Sequence, residues 1–242
     1  MTRRRWIADE VSGNRAALVG EHAAHLARVL RARVGQEFDI AAAERVRRGR
    51  VTAVSDQRVE FELAEDVAAA LDLPLTLLLS IFKFDRMEWA IEKLTELGAS
   101  RVVPVIARRT DARLAQAAAK RAERWRKIAR QAAEQSRRAL PPEIAAPLPL
   151  REAVRAAEGV RVFLDESEEK VTLKQALRGH APAQPVALAF GPEGGWTEDE
   201  VKLLREAGWV AASLGSRILR AETAAIAAVS VAAAELEEPA SQ

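Results

Sequence analysis

The chain has 242 residues, 49% hydrophobic and 30% charged, which suffices for one large or two modest domains and excludes a disordered or fibrous protein. It has no cysteine and only three histidines, which excludes disulfides, thiol nucleophiles and thiolate metal sites and argues against a histidine-built metal site. Because 37 basic and 35 acidic residues leave a net charge of only +2, bulk charge does not indicate a partner.

No segment has the pattern of a secretion signal or of a membrane-spanning helix. The start, Met1–Trp6, is basic, but no apolar core with a cleavage site follows it. The longest apolar stretch, around Ala224–Ala234, is interrupted by Ser230 and is shorter than the roughly 20 residues that a spanning helix needs. We therefore expect a soluble cytoplasmic protein with no membrane partner.

Short β-like runs dominate the first seventy residues. The runs Phe38–Ile40, Arg50–Val54 and Val59–Leu63 are separated by turn-forming residues, and a helical pattern over Glu21–Leu30 precedes them. An Ala-rich stretch before Leu75 is a plausible linker. The sequence therefore predicts a small β-rich domain over residues 1–70.

Arginines are concentrated in this first domain, in runs near residues 3–5, 28–33 and 45–50. A single basic run is more often a solvated face than a binding surface. Three runs in one small module, together with Trp6, favour contacts with RNA phosphates and limited base stacking. The candidate RNA-binding residues of these runs are Arg3, Arg4, Arg5, Arg28 and Arg31.

From Leu75 onward, continuous apolar runs alternate with helical patterns. Such runs are typical of parallel strands that are covered on both faces. They are Leu75–Ile81, Val102–Ile106, Val160–Leu164, Val186–Phe190 and Val210–Leu214. Because Pro104 cannot donate to a strand ladder, it predicts an edge strand or a strand end there.

The helices of this second region carry clear signals. Amphipathic patterns cover Arg86–Gly98 and Ala115–Arg138, and an Ala-rich helix is predicted over Ala221–Leu236. Thr197 and Glu200 form a capping box at the start of a further helix. Strands that alternate with helices predict an α/β domain with a parallel sheet over residues 74–242.

Three of the predicted strands end in loops with ligand-binding character. The segment Phe190–Trp196 contains three glycines and one proline, whereas an ordinary strand-to-helix turn needs one glycine. The second loop is Leu214–Thr223 and the third is Leu164–Glu166. Open α/β sheets bind ligands at the carboxyl ends of their strands. Neither a dinucleotide-binding Gly pattern nor a phosphate-binding loop occurs, which disfavours a nucleotide-dependent enzyme.

Four motifs in order resemble the RsmE family, the small-subunit ribosomal RNA uridine-N3 methyltransferases of the trefoil-knotted SPOUT superfamily. They are His25–Arg31 with Gly35, Arg86–Gly98, Glu134–Arg138, and the pair Gly191–Thr197 with Leu214–Ala224. Phe84, Thr110 and the segment Ala41–Arg50 depart from the family pattern.

The resemblance implies a SPOUT-type knotted sheet, a PUA-like first domain, a homodimer, and 16S ribosomal RNA in the small subunit as partner. It implies S-adenosylmethionine as cofactor, and adds His25 and Arg86 to the RNA-binding candidates. The implied cofactor-binding residues are Leu164, Asp165, Glu166, Phe190, Gly191, Pro192, Gly194, Gly195, Leu214, Gly215, Ile218 and Leu219.

The chemistry of this reaction makes its own demands. Uracil N3 must lose a proton before it attacks a methyl group, so a base or a cation near the uracil carbonyls would help. Arg220 and Arg138 are candidates for charge stabilisation, and Glu193 and Glu222 for proton acceptance. No metal is needed, and proximity alone is a further source of rate. The alternative is a non-catalytic RNA-binding assembly factor that keeps a methyltransferase fold.

Overall fold

The computed structural model describes residues 5–42, 45–68, 72–180 and 184–236. These residues form two compact units. The first contains the described residues up to 68 together with Ala133–Pro141, and the second contains 72–132 and the described residues from 142 onward.

The first unit is built on a six-stranded sheet in the order β1-β4-β5-β6-β3-β2. Only β1 and β4 pair in parallel, and the remaining pairs are antiparallel. The strands are β1 (Arg5–Ile7), β2 (Glu10–Ser12), β3 (Arg15–Val19), β4 (Glu37–Ala42), β5 (Arg45–Val54) and β6 (Arg58–Asp66). The sequence pattern found the strands β4, β5 and β6 and missed the shorter strands β1, β2 and β3.

One helical segment packs against this sheet. It begins as α1 (Gly20–Ala24) and continues as a π-helical turn over His25–Val29. Its Leu26 lies in an apolar core with Leu18, Ile40 and Phe61, all of them fully buried. The predicted helix over Glu21–Leu30 therefore exists, and burial of its apolar face holds it on the sheet.

The segment Ala133–Pro141, which the sequence pattern places in the second domain, packs with the first unit. Ala133 is fully buried beside Ile7, Ala41 and Val46. The periodicity of a helix shows which face is apolar, but it does not show which core that face enters. The domain boundary at this segment could therefore not be read from the pattern.

The second unit contains a seven-stranded sheet and six helices among its described residues. Its strands are β7 (Leu75–Ser80), β8 (Arg101–Ile106), β9 (Glu143–Ile144), β10 (Leu148–Pro149), β11 (Val160–Leu164), β12 (Val186–Phe190) and β13 (Val210–Ala212). Its helices are α2 (Phe84–Glu96), α3 (Ala112–Gln135, whose last turn belongs to the first unit), α4 (Leu150–Ala156), α5 (Leu173–Leu177), α6 (Glu198–Glu206) and α7 (Ala221–Leu236).

Every pair in this sheet is parallel, in the order β10-β8-β7-β12-β11-β13, with β9 also paired to β8. Side chains of α2, α3, α5 and α7 pack in one core, and side chains of α4 and α6 in another. The predicted fold class, a parallel α/β sheet flanked by helices with a separate β-rich N-terminal sheet, is confirmed.

The expectation for Pro104 is wrong. Pro104 lies in the middle of β8, paired with Leu79 of β7, and β8 is not an edge strand. On its other side the outer pairing is interrupted: β9 pairs with Arg101 and Val102, and β10 pairs with Val105 and Ile106. The missing N–H of proline therefore coincides with a gap between two short strands, which explains why it is tolerated there.

One further expectation concerns the helix cap at Thr197, and two further observations concern membrane-spanning helices and metal sites. The capping box of α6 is present: the Thr197 side chain accepts from the Glu200 N–H, and the Glu200 side chain accepts from the Thr197 N–H. Across the described ranges, no helix has the length and apolar character required to cross a bilayer. Within the same ranges, no three potential ligand side chains of His, Cys, Asp or Glu converge as a metal site would require.

Candidate active site

The ends of β11, β12 and β13 meet at one cavity of about 390 Å³ in the second unit. Because these three strands are neighbours in a parallel sheet, their carboxyl ends lie at the same edge. The prediction that the three loops converge is confirmed. Of the twelve residues proposed to bind the cofactor, all except Gly194 line the cavity.

The glycine loop, Gly191–Gly195, follows β12 and packs tightly against its surroundings. A Cβ on Gly191 would lie 3.3 Å from the Trp196 ring, whose Nε1 donates to the Leu164 carbonyl over 2.9 Å. Gly195 has φ +71°, and a Cβ there would lie 2.9 Å from Oε1 of Glu166. Side chains at these two positions would displace the indole ring or the carboxylate. The third glycine, Gly194, is held from outside the cavity.

Arg109, which the sequence reasoning did not single out, holds this loop. Its Nη1 donates to the carbonyl of Gly194 over 2.6 Å and to that of Trp196 over 3.2 Å. The neighbouring Arg108 N–H donates to Oε1 of Glu200 over 2.7 Å. The turn after β8 is thus tied both to the loop after β12 and to the first turn of α6. The only sequence signal for Arg109 was its position shortly after the predicted strand Val102–Ile106.

The loop after β13 is more open. Gly215 has φ +103°, and no atom lies within 4 Å of where its Cβ would be. Arg217 and Arg220 are exposed, and Ile218 is 93% exposed although it is a large apolar side chain. All four residues line the cavity. This loop therefore presents two cations and one apolar side chain at the cavity.

The loop after β11 is ordered by its own carboxylates. Oδ1 of Asp165 accepts from the N–H and the hydroxyl of Ser167, over 3.0 and 2.7 Å. The N–H groups of Lys170 and Val171 donate to the Glu168 carboxylate, which lowers the pKa of Glu168. These turns fix the backbone of the loop, while Glu166 stays exposed at the cavity.

An arginine and two glutamates form a charged cluster at the cavity wall. Nη1 of Arg86 lies 3.3 Å from Oε1 of Glu193, and Nε of Arg86 lies 3.7 Å from Oε1 of Glu222. Glu222 is 5% exposed, and its Oε2 has no hydrogen-bond partner within the described part of the chain. Arg86 was expected to contact RNA. In the structure it lines the cavity and lies between two of the proposed catalytic carboxylates.

The remaining proposed catalytic residues are placed differently. Glu193 and Arg220 line the cavity, whereas the buried Glu222 reaches it only through its contact with Arg86. Arg138 is 7% exposed, belongs to the first unit and is not among the lining residues. Of the proposed catalytic residues, Glu193 and Arg220 thus line the cavity.

The proposed RNA-binding residues of the first unit have mixed environments. Arg5 is buried and donates to the main-chain carbonyl of Arg137, and burial lowers the pKa of Arg5. His25 is exposed, with its ring edge-on to the buried Trp6. Arg28 pairs with Asp56 over 2.7 Å, and Arg31 is exposed. Arg3 and Arg4 lie outside the described residues.

Comparison with known proteins identifies the family. A model described as an RNA methyltransferase domain matches residues 69–233. The ribosomal RNA small subunit methyltransferase E of Bacillus subtilis (strain 168) is 31% identical over 231 residues, which cover 91% of this chain and 90% of that protein. The chain belongs to the methyltransferase E family.

Two further members of the methyltransferase E family are similar. The Synechocystis protein is 38% identical over 174 residues, which cover 69% of this chain but only 55% of that protein. The crystal structure from Neisseria gonorrhoeae, which was solved bound to S-adenosyl methionine, has a TM-score of 0.83 and 30% identity. The match covers 94% of this chain and 95% of that one.

The cavity of this methyltransferase E family member fits such a cofactor. Its volume of about 390 Å³ lies within the usual range for small-molecule sites. Phe190, Leu214 and Leu219 give it apolar walls, which suit a flat adenine ring. The carboxylates of Glu166 and Glu193 at the same cavity suit the positively charged amino and sulfonium groups. Gly191, Gly195 and Gly215 also line the cavity.

Proposed function

We propose that this protein methylates N3 of one specific uridine in 16S ribosomal RNA, in the decoding region of the small subunit, with S-adenosylmethionine as methyl donor. One observation carries the proposal. Three strand-end loops of the parallel sheet line a single cavity that joins apolar walls to carboxylates, in a chain of the methyltransferase E family.

When it is bound, S-adenosylmethionine supplies an electrophilic methyl group on a sulfonium, so no metal is required. Phe190, Leu214 and Leu219 would hold the adenine of the cofactor and keep water from it. Hydrogen bonds made by Arg109, Trp196 and Asp165 fix the backbone of the loops after β11 and β12. The cavity is therefore already ordered before the cofactor binds.

The proton of uracil N3 needs an acceptor. Glu193 is the best candidate because its side chain is 44% exposed and lines the cavity, whereas the Glu222 side chain is only 7% exposed and does not line it. As the N3–H bond breaks, the proton passes to a Glu193 oxygen and the electron pair stays on N3. That nitrogen would take the methyl group of a bound S-adenosylmethionine, and the electrons of the broken C–S bond would stay on the sulfur, which leaves as a neutral thioether. The guanidinium of Arg220 stabilises the negative charge that develops on the uracil carbonyls.

Three further parts of the proposal concern the setting of the reaction. The first unit serves as a PUA-like RNA-binding domain, and its exposed arginines bind phosphates of the ribosomal RNA. The protein acts as a homodimer, as the family resemblance implies. It works in the cytoplasm, where its ribosomal substrate is.

Two measurements test this function. Calorimetry of the purified protein should show binding of S-adenosylmethionine. Small subunits from cells that lack the protein should gain one N3-methyluridine in mass-spectrometric mapping after incubation with protein and cofactor. Glu193→Gln should lower turnover about 100-fold or more, because it removes the proton acceptor. It should weaken cofactor binding far less, because the carboxylate of Glu166 remains at the cavity. Glu158→Gln, a matched change at an exposed glutamate that does not line the cavity, should leave turnover unchanged.

The outcomes separate the competing functions. Absence of cofactor binding contradicts the proposal outright. Binding of both cofactor and subunits without methyl transfer favours a non-catalytic assembly factor. Methylation at a site other than uridine N3 overturns the substrate assignment and leaves the reaction class in place.

A further inference from the structure

The three arginines at the cavity differ in their electrostatic surroundings. Arg86 lies between two carboxylates, so its charge is compensated. Arg217 and Arg220 are exposed, and neither forms an ion pair with any residue that the structure describes. Two uncompensated cations therefore stand at one side of the cavity, within four residues of sequence.

A large apolar side chain lies beside them. Ile218 is 93% exposed and lines the same cavity. The other large apolar residues that line it, such as Phe190 and Leu219, are buried or half-buried. An apolar side chain with that exposure gains free energy only when a partner covers it.

The cofactor is a poor partner for these cations. S-adenosylmethionine carries a net positive charge near neutral pH, because two cationic groups outweigh one carboxylate. The cavity already offers it the carboxylates of Glu166 and Glu193. A nucleic-acid strand has the complementary charge, and the planar fork of arginine matches the geometry of a phosphate.

The start of α7 adds to the attraction. This helix of 16 residues begins at Ala221, immediately after Arg220, and Ala221 and Ala224 line the cavity. The positive end of a helix dipole stabilises a nearby anion. The first turn of α7 also carries Glu222, which is buried and lies 3.7 Å from Arg86. The exposed positive charge on this side of the cavity therefore comes from Arg217 and Arg220.

We propose that Arg217 and Ile218 are the contact of this unit with the target RNA strand. Arg217 binds a backbone phosphate next to the methylated uridine, and Ile218 packs against a base or ribose of that strand. Arg220 is left to face the uracil carbonyls. This inference rests on the proposed function, and it adds the residues that hold the substrate strand beside the cavity.

The test separates RNA binding, cofactor binding and turnover in the full-length protein. Arg217→Gln and Ile218→Ser are compared with Arg220→Gln and with Arg151→Gln, a control at an exposed arginine that does not line the cavity. The probes are 16S ribosomal RNA transcribed without modification, S-adenosylmethionine, and the decarboxylated form of the cofactor.

The expected pattern is specific to each variant. Arg217→Gln weakens RNA binding about tenfold and lowers the salt dependence of the affinity by about one unit of slope. Ile218→Ser weakens RNA binding about fivefold without changing the slope, because it removes apolar contact only. Both variants raise KM and keep kcat within about twofold, whereas Arg220→Gln lowers kcat. Arg151→Gln changes none of these values.

Three results would overturn the inference. If Arg217→Gln weakens binding of S-adenosylmethionine but not of its decarboxylated form, the anion is the carboxylate of the cofactor. If Ile218→Ser changes the oligomeric state, a second copy of the chain covers this side chain. If RNA affinity is unchanged in both variants, no strand lies there. In all three cases methylation by the unaltered protein still supports the proposed function, so the two failures are distinguishable.

Discussion

The first unit and the loop after β13 of the second unit use arginine in opposite ways. In the first unit, Arg28 pairs with Asp56, Arg48 with Asp39, and Arg58 with Glu10 and Glu60, at distances of 2.7 to 2.8 Å. At the cavity, Arg217 and Arg220 have no such partner within the described residues. The unit with the denser arginine runs thus has much of its positive charge compensated.

The difference shows what a count of basic residues can and cannot indicate. A sequence gives the number of charges, but the carboxylates that compensate them come from other strands of the folded sheet. Arg58, for example, reaches Glu10 across 48 positions of sequence. The attraction for a phosphate depends on the charge that is left over, and that quantity is visible only in the structure.

The largest effect that would sharpen this comparison is expected at Arg86. Arg86→Gln removes the only cation that lies within 4 Å of Glu222 in the described part of the chain, and leaves a carboxylate that is 5% exposed without compensation. We expect the free energy of unfolding to fall by about 2 kcal/mol, as urea denaturation would measure. Turnover should fall as well, since Glu193 loses the same partner.

A double variant serves as the control for this prediction. If the loss of stability comes from the unpaired carboxylate, Arg86→Gln combined with Glu222→Gln should recover most of it. Equal stability of the single variant and the unaltered protein would mean that the pair contributes nothing, and the contrast with the exposed pairs of the first unit would disappear.

An intermediate effect is expected at Arg109. Arg109→Met keeps much of the apolar stem and removes the hydrogen bonds to the Gly194 and Trp196 carbonyls. The glycine loop then has to be ordered by the cofactor itself. We expect affinity for S-adenosylmethionine to fall about tenfold, or about 1.4 kcal/mol, with little change in the thermal midpoint. Arg109→Lys should recover part of the affinity, and a variant with full affinity would show that the loop does not need this residue.

The smallest effect is expected at Arg28, whose pair with Asp56 is exposed on both sides, 65% and 51%. The hydrogen bond from Arg28 lowers the pKa of Asp56 below its ordinary 3.8. The stabilisation is therefore complete above that value and is lost as the pH falls through the lowered pKa. Arg28→Gln should leave the thermal midpoint at pH 7 almost unchanged and slightly flatten its acid dependence below pH 4. A marked loss at pH 7 would show that this pair resembles the buried one.

Much of the second unit could be predicted from the sequence because its longer strands are continuous apolar runs. A strand covered on both faces must be continuously apolar, and β11 and β12 have the predicted bounds. The short strands β9 and β10 could not be predicted, because two residues carry no period. Pro104 is tolerated in the middle of β8 because it faces the gap between β9 and β10. The sequence does not show that gap, so the position of Pro104 in the sheet could not be predicted either.

The cavity was predictable for a related reason. Parallel strands bring their carboxyl ends to one edge, so the loops that follow three neighbouring strands, one of them glycine-rich, indicate a shared site. Ion pairs and loop contacts do not follow from such reasoning. Arg86 lies 107 positions from Glu193, and Arg109 lies 85 positions from Gly194. Only the folded chain shows that the first joins two carboxylates and that the second holds a loop.

The carboxylate of Glu200 has a consequence for which residues this position tolerates. One oxygen accepts from the Arg108 N–H, and the other accepts from the N–H and hydroxyl of Thr197. A helix start of this type ordinarily accepts glutamine as readily as glutamate. A glutamine at position 200 would place its NH₂ group opposite the Arg108 N–H in one orientation of the amide, and opposite the Thr197 N–H in the other. A substitution that is neutral in most helices would therefore bring two donors together here, and it would disturb the turn after β8, whose Arg109 holds the glycine loop.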